Sequence, residues 1–595
     1  MEEVIKAKLR EEIGAEYKWK VEKIYASIAS FQEDFIKLKK DADSLKEYSG
    51  KLADPKELLA YLRLSEAINR RAELLLMYAH LRGDEDTANS EFQGLKSVID
   101  VYYAELKSYE AFFVPEILTL KEDFLQVAII KEPELKLYEF FLKDIIKLKP
   151  HFLTKDQEEI MAGVSDCLEA PANIFSMLSN ADMTFPSIID EEGNNVELTE
   201  ANYSQFIRSK DRRVREEAFK TIFNTYDKYK NTFSMSLTSS IKNFIFNSKT
   251  RKYKSSLEAS LKPNEISLKV YDNVIKTIND NLSSLHKYVA IKKRHLGLEE
   301  MHMYDLYVPV VDTPKENIEF NSGVEIIKKA LVPLGLDYLE IFEEGIKEGW
   351  IDVYSNKGKR KGAYSWGSYD TMPYVLLNYN NELNDVSTLA HEMGHSIHSY
   401  LSKRHQPYIY SSYTLFCAEV ASTTNEALLI RYLIENEKDK MKRDYLINTE
   451  LEQIRTTVFR QAMFAEFEKV THENLERGLA LTSKELSDIW HKLNEKYFGT
   501  DMIVDKEIDM EWARIPHFYN DFYVYQYTTG YAAANSFATM ILKGGAESVA
   551  KYKNFLNSGG KDYPIKLLYE AGVDMSSPKP LLDTIERFNQ LLNML

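Results

Sequence analysis

The run His391-Glu392-Met393-Gly394-His395 sets two imidazoles four positions apart with a carboxylate beside the first. On a helix that spacing puts both histidines on one face, about 6 Å apart along the axis, where both can ligate one tetrahedral zinc ion. Glu392 is rotated by about 100° from His391 and can face the coordination position left open, as a general base for an attacking water. With 12 histidines in 595 residues, two His and one Glu at these offsets arise by chance roughly 0.02 times per chain. The motif therefore points to metal-assisted hydrolysis rather than to an accident of composition.

A catalytic zinc takes three protein ligands and keeps one open position. His398 shares nearly the same helical face, but about 10 Å of axis separates it from His391, so it reads as a supporting or core histidine. His405 lies past the expected helix, beside Pro407, and Leu401 stands where a metzincin would carry its third histidine. Glu419, in Phe416-Cys-Ala-Glu-Val-Ala-Ser-Thr-Thr-Asn-Glu426, is the better third ligand. Glu426 returns to the same helical face seven residues on. Two acids on one face among Val420, Ala421 and Leu428 are costly to bury unless a cation or donors meet them. A ligand at Glu419 and a carboxylate at Glu426 holding a ligand histidine account for both; two solvated glutamates on an exposed face are the alternative.

These groups need elements to position them. Asn384 or Asp385 can cap a helix running to about Tyr400, with Val386, Leu389 and Ile397 on its apolar side. Tyr374 to Tyr379 reads as a strand just before it, with an edge to which an extended peptide could add. Proline (16) and glycine (23) are sparse, and apolar residues recur at three- and four-residue spacing, as at Leu58, Leu62 and Ile68, so the chain reads as mostly helical. Breaks fall at Asp54-Pro55, Glu132-Pro133 and Lys149-Pro150, the last two as helix starts. Ser187 to Ile189 and Val196 to Leu198 flank Glu192-Gly193-Asn194-Asn195, which is hairpin chemistry. The expected organisation is a helical lobe over 1–190 followed by a catalytic domain over 191–595.

Lys+Arg 76 against Asp+Glu 92 gives a formal charge of −16, which works against a nucleic-acid surface or a basic membrane patch. Two cysteines, Cys167 and Cys417, are too few for a disulfide framework. The charged N-terminus carries no apolar leader, and no uncharged stretch approaches the ~20 residues a membrane span needs. The expected address is cytoplasmic, with no nucleic acid and no membrane among the partners.

After His517, Tyr523, Tyr527 and Tyr531 recur every four residues, a stripe that suits an active-site wall ahead of core packing. Together with Asp211-Arg212-Arg213-Val214-Arg215, Arg251 to Leu261, Lys361-Gly-Ala-Tyr364 and Ile515-Pro-His-Phe-Tyr519, the motifs resemble the oligoendopeptidase F group of the thimet oligopeptidase family of zinc metallopeptidases, over nearly the full length. The resemblance implies a mostly α, two-lobed helical zinc peptidase with a deep central channel and a small β element beside the active-site helix. It implies one Zn²⁺ per chain on His391, His395 and Glu419, with Glu392 as base. His517 and one or more of Tyr523, Tyr525 and Tyr527 then stand over the reacting carbonyl, and short peptides are the substrates. A zinc carboxypeptidase or dipeptidyl carboxypeptidase, and a helical binding protein with a degenerate motif, are the rival readings.

Overall fold

Asp54 accepts from the Lys56 N–H and Pro55 opens the first turn, so the break at Asp54-Pro55 starts the 31-residue helix α1 (Pro55–Glu85). The other two breaks open 3₁₀ turns instead, Pro133–Tyr138 and Lys149–His151, and the first of these runs into the helix Glu139–Lys147. The structure is a computed structural model that describes residues 8–121, 123–311, 314 and 316–595. It is 72% helical with few short strands. No helix among the described residues is long and apolar enough to cross a membrane.

The expected hairpin forms from β1 (Ser187–Ile189) and β2 (Asn195–Glu197), antiparallel with Ile188 opposite Val196. Asp190 accepts from the N–H groups of Glu192 and Asn194, and Gly193 takes the left-handed φ of +84° that the turn requires.

A second small sheet lies just before the histidine helix in the chain. Its strands are β3 (Ile351–Asp352), β4 (Tyr364–Trp366) and β5 (Tyr374–Leu376), in spatial order β3-β5-β4. β5 pairs parallel with β3 and antiparallel with β4, and all three of its residues are buried. This corrects the expectation that Tyr374 to Tyr379 offers an open edge: the strand is shorter and is paired on both sides. The outer strands are β3 and β4, and β4 carries Tyr364 of the Lys361-Gly-Ala-Tyr364 motif.

The histidine helix α2 (Leu383–His405) starts earlier and ends later than expected. Its cap is Glu382, and Asp385 is the third helical residue, whose carboxylate reaches back to the N–H groups of Asn380 and Glu382. Val386, Leu389 and Ile397 are all fully buried, as their spacing requires. Helix α3 (Leu415–Asn436) carries Glu419, and α4 (Tyr525–Leu556) is interrupted at Gly545, whose φ is +64°.

The chain forms two compact units, each drawn from three stretches. One comprises 1–150, 316–432 and 537–572; the other comprises 151–315, 433–536 and 573–595. The division near residue 190 follows the order of the chain, and the contact units do not follow that order. The first unit holds the sheet β3-β5-β4, α1, α2 and the part of α3 that bears Glu419. Within it a buried ion cluster ties distant segments together: Arg10 pairs with Asp352 at 2.6 Å and Glu85 at 3.0 Å, and Lys359 pairs with Asp352 at 2.7 Å. The Trp19 indole donates to Glu85 at 2.7 Å and the Tyr364 hydroxyl to Asp84 at 2.8 Å. Each buried charge meets an opposite charge or a donor, the condition for burying ions. The result fixes the start of β4 against the end of α1.

Candidate metal centre

Helices α2 and α3 touch at backbone distance. A Cβ on Gly394 would stand 2.6 Å from Ser422 Cα and 2.9 Å from the Ala421 carbonyl oxygen, so only glycine fits there. Asn425, fully buried, donates to the Ala390 carbonyl at 3.1 Å and accepts from the Tyr338 hydroxyl at 2.9 Å, clamping the same two helices. This close approach brings the Glu419 carboxylate to the histidine pair.

Glu419 Oε2 lies 3.5 Å from His391 Nε2 and 3.7 Å from His395 Nε2, and the two imidazole nitrogens are 3.1 Å apart. Metal–ligand bonds of about 2.0–2.1 Å around a tetrahedral ion imply ligand separations of roughly 3.3 Å. The three atoms therefore outline one face of such a tetrahedron. They form the one group of three or more His, Cys, Asp or Glu side chains among the described residues whose ligand atoms gather this closely.

The ring orientations follow from hydrogen bonds on the far side of each imidazole. Glu426 Oε2 is 3.2 Å from His391 Nδ1, and Ser387 donates to Glu426 Oε1 at 3.4 Å. His395 hydrogen-bonds the backbone of Ala418. Both arrangements leave Nε2 toward Glu419, as a ligand tautomer needs. Burial opposes a charge on His391, but the Glu426 hydrogen bond and the surrounding carboxylates outweigh it and raise the ring to about 9. Burial and the neighbouring His391 push His395 down to about 3. Burial also pushes the Glu392 carboxyl up to about 7, with the charge of His391 pulling the other way.

The other histidines of the region separate cleanly. His398 is 1% exposed, stacks on Tyr413 at 3.8 Å and is held neutral by burial, so it belongs to the core. His405 is exposed and meets the Leu401 carbonyl at 2.8 Å. Neither joins the metal group.

In the second unit His517, Tyr523 and Tyr527 gather, all half-buried. His517 Nε2 is 3.3 Å from the Tyr527 hydroxyl, and the Tyr523 and Tyr527 rings meet edge to face at 5.4 Å. Burial lowers the His517 ring, which favours its neutral form. The expected four-residue stripe does not form as one helix face. Phe522 takes a left-handed φ of +58° and α4 starts only at Tyr525, so Tyr523 sits in the preceding turn. Tyr531 is buried, and Tyr525 packs in the core against Tyr271.

Asn425 and Ser396 escape a motif search. Ser396 Oγ meets Ser365 Oγ at 2.8 Å and so ties strand β4 to the metal helix. Asn425 is one of five consecutive polar residues, Ser422 to Glu426, so its polarity does not single it out, and Ser396 carries no sign either.

A mostly helical chain that presents two imidazoles and a carboxylate at metal spacing, with a buried glutamate beside them, is of the metallopeptidase class. Models of two peptidase families match it: peptidase family M3 over 205–587 and oligopeptidase F over 116–185. The chain belongs to peptidase family M3 and is a metalloendopeptidase. It is 45% identical to oligopeptidase PepF of Bacillus subtilis, over 98% of this chain and 87% of that protein. Identity to the group B oligopeptidase PepB of Streptococcus agalactiae is 37%, over 96% and 94%. The crystal structure of oligoendopeptidase-F from Enterococcus faecium superposes with a TM-score of 0.74 at 36% identity, covering 95% of this chain and 97% of that one.

Proposed function

We propose that the chain hydrolyses internal bonds of short peptides with one zinc ion held by His391, His395 and Glu419 and with Glu392 as general base. The observation that carries this reading is the set of separations among the three ligand atoms, 3.1, 3.5 and 3.7 Å, which suit a tetrahedral ion. Zinc, when bound there, polarises the scissile carbonyl and lowers the pKa of water. Glu426 and the Ala418 backbone hold the two imidazoles in register. Glu392 takes the proton of the attacking water and delivers it to the leaving amine. The names of the relatives support short peptides as substrates. An extended peptide adds to β4, one of the two outer strands, and binding through backbone groups gives broad sequence tolerance. Both cysteines are free, which suits a reducing, cytoplasmic compartment.

Zinc analysis and product mapping test the reading together. The purified protein is expected to hold one zinc per chain, to lose peptidase activity to a strong chelator and to regain it with added zinc. A peptide blocked at both ends is expected to be cut internally. Activity persisting in verified metal-free protein would refute the zinc assignment.

His517, Tyr523 and Tyr527 are proposed as donors to the oxyanion, supported by their clustering and by the neutral imidazole. Losing one such donor typically costs ~10²- to 10³-fold in kcat with little change in binding. His517→Ala and Tyr523→Phe are each expected to lower kcat at least tenfold with zinc content unchanged. If Tyr523→Phe is silent and Tyr527→Phe is not, the donor is Tyr527; three silent variants would remove the role.

A further inference from the structure

Strand β4 runs along the metal helix. Ser365 meets Ser396, and two residues on, the Gly367 carbonyl accepts from Lys403 Nζ at 2.6 Å. Lys403 is seven residues beyond Ser396 and eleven beyond Glu392, close to whole turns of a 3.6-residue helix, so it shares their face. It also lines a cavity of about 410 Å³ that begins where β4 ends, beside Trp366, Gly367 and Ser368, with Glu73 of α1 and Tyr408 opposite.

The cavity holds one ammonium and one carboxylate, which do not pair directly. An ammonium has three N–H donors, and Lys403 spends one on Gly367; among the described residues it forms no ion pair. Glu73 lies beyond ion-pair distance, its carboxylate accepting from the Tyr408 hydroxyl at 2.6 Å. Burial pushes the Lys403 ammonium down to about 8, only partly offset by Glu73. A half-buried cation with two unused donors at the rim of a cavity suits an anionic oxygen ligand.

We propose that this cavity is a carboxylate subsite of the peptidase, in which Lys403 binds the substrate's C-terminal carboxylate or an acidic side chain at the same position. The proposal rests on the zinc-peptidase reading above and on β4 as the docking edge. Lys403 stands eight residues beyond His395, about 12 Å along the helix. An extended peptide advances ~3.3 Å per residue, so the anchored carboxylate falls three or four residues from the cleaved bond. Lys403 is a positioning residue here: it sets where the peptide stops along β4, and takes no part in the bond-breaking.

Three peptides of one sequence test this on the unaltered enzyme: one ending in a free carboxylate three or four residues past the cut, its C-terminal amide, and the amide with Glu at that position. KM is expected to be at least tenfold higher for the plain amide than for the free acid, with kcat within twofold. Lys403→Met, checked for zinc content and melting temperature, is expected to raise KM for the acid to that of the amide and leave the amide unchanged. A low KM for the Glu-bearing amide would assign the subsite to acidic side chains as well as chain ends. Equal KM for all three peptides on the unaltered enzyme would overturn the proposal, as would a Lys403→Met effect equal on all three. A KM that responds to N-terminal acetylation and to Glu73→Gln would overturn it in favour of an ammonium site. Failure of the zinc-peptidase reading would look different, because no peptide would then show metal-dependent turnover.

Discussion

Glu392→Gln is expected to lower kcat by 10³-fold or more while zinc content stays at one per chain. The substitution keeps the shape of a residue that is 8% exposed and leaves His391, His395, Glu419 and Glu426 untouched. It removes the proposed general base, the carboxylate next to His391 in the chain. General-base assistance is worth ~10²–10⁴ in rate, and the same carboxyl also returns the proton to the amine, so the expected loss lies toward the upper end. Because burial already holds this carboxyl up to about 7, a neutral amide there relieves an unfavourable charge, and the melting temperature is expected to hold or rise. Single-turnover kinetics with metal analysis provide the check. Turnover above one-tenth of the unaltered enzyme would assign the base elsewhere.

Gly394→Ala is expected to weaken zinc binding at least 100-fold. The added methyl meets the Ser422 backbone at 2.6 Å and the Ala421 carbonyl at 2.9 Å, and neither is the movable end of a side chain. Helices α2 and α3 must part, and the Glu419 carboxylate parts with them from the imidazoles. Metal sites tolerate only about ±0.2 Å in ligand distance, while overpacking of this kind costs about 1–3 kcal/mol of stability. A competition titration against a chromophoric chelator measures the affinity. Gly163→Ala, where an added Cβ meets nothing within 4 Å, is the matched control and is expected to be silent. Unchanged zinc affinity in Gly394→Ala would mean that the helix contact does not hold the ligands in place.

The gathering of His391, His395 and Glu419 was legible because its first two members are local. A spacing of four on one helix needs no knowledge of the fold, and Glu426, seven residues past Glu419, reaches His391 as that spacing implies. What sequence left unread is non-local or a matter of backbone torsion. The central place of β5 depends on pairing with residues 351–352 and 364–366, and nothing within Tyr374 to Leu376 records those partners. The tyrosine stripe failed because one left-handed residue, Phe522, delays the helix past Tyr523. The Asp385 carboxylate points back rather than forward, which moved the helix start to Leu383. The ion cluster of Arg10, Glu85 and Asp352 joins positions tens to hundreds of residues apart, and Lys403 gains meaning only beside Gly367.

The two cysteines differ in a way that matters for spectroscopy. Cys417 is buried at the start of α3, and burial pushes its thiol up to about 12, while Cys167 is exposed on the helix Ser165–Met177. Maleimides and similar reagents attack the thiolate, so at neutral pH the native chain offers one addressable sulfur. A dye or spin label can therefore be placed at Cys167 without mutagenesis, on a stretch of chain that bears none of the proposed zinc ligands, with the chain's own sequence intact.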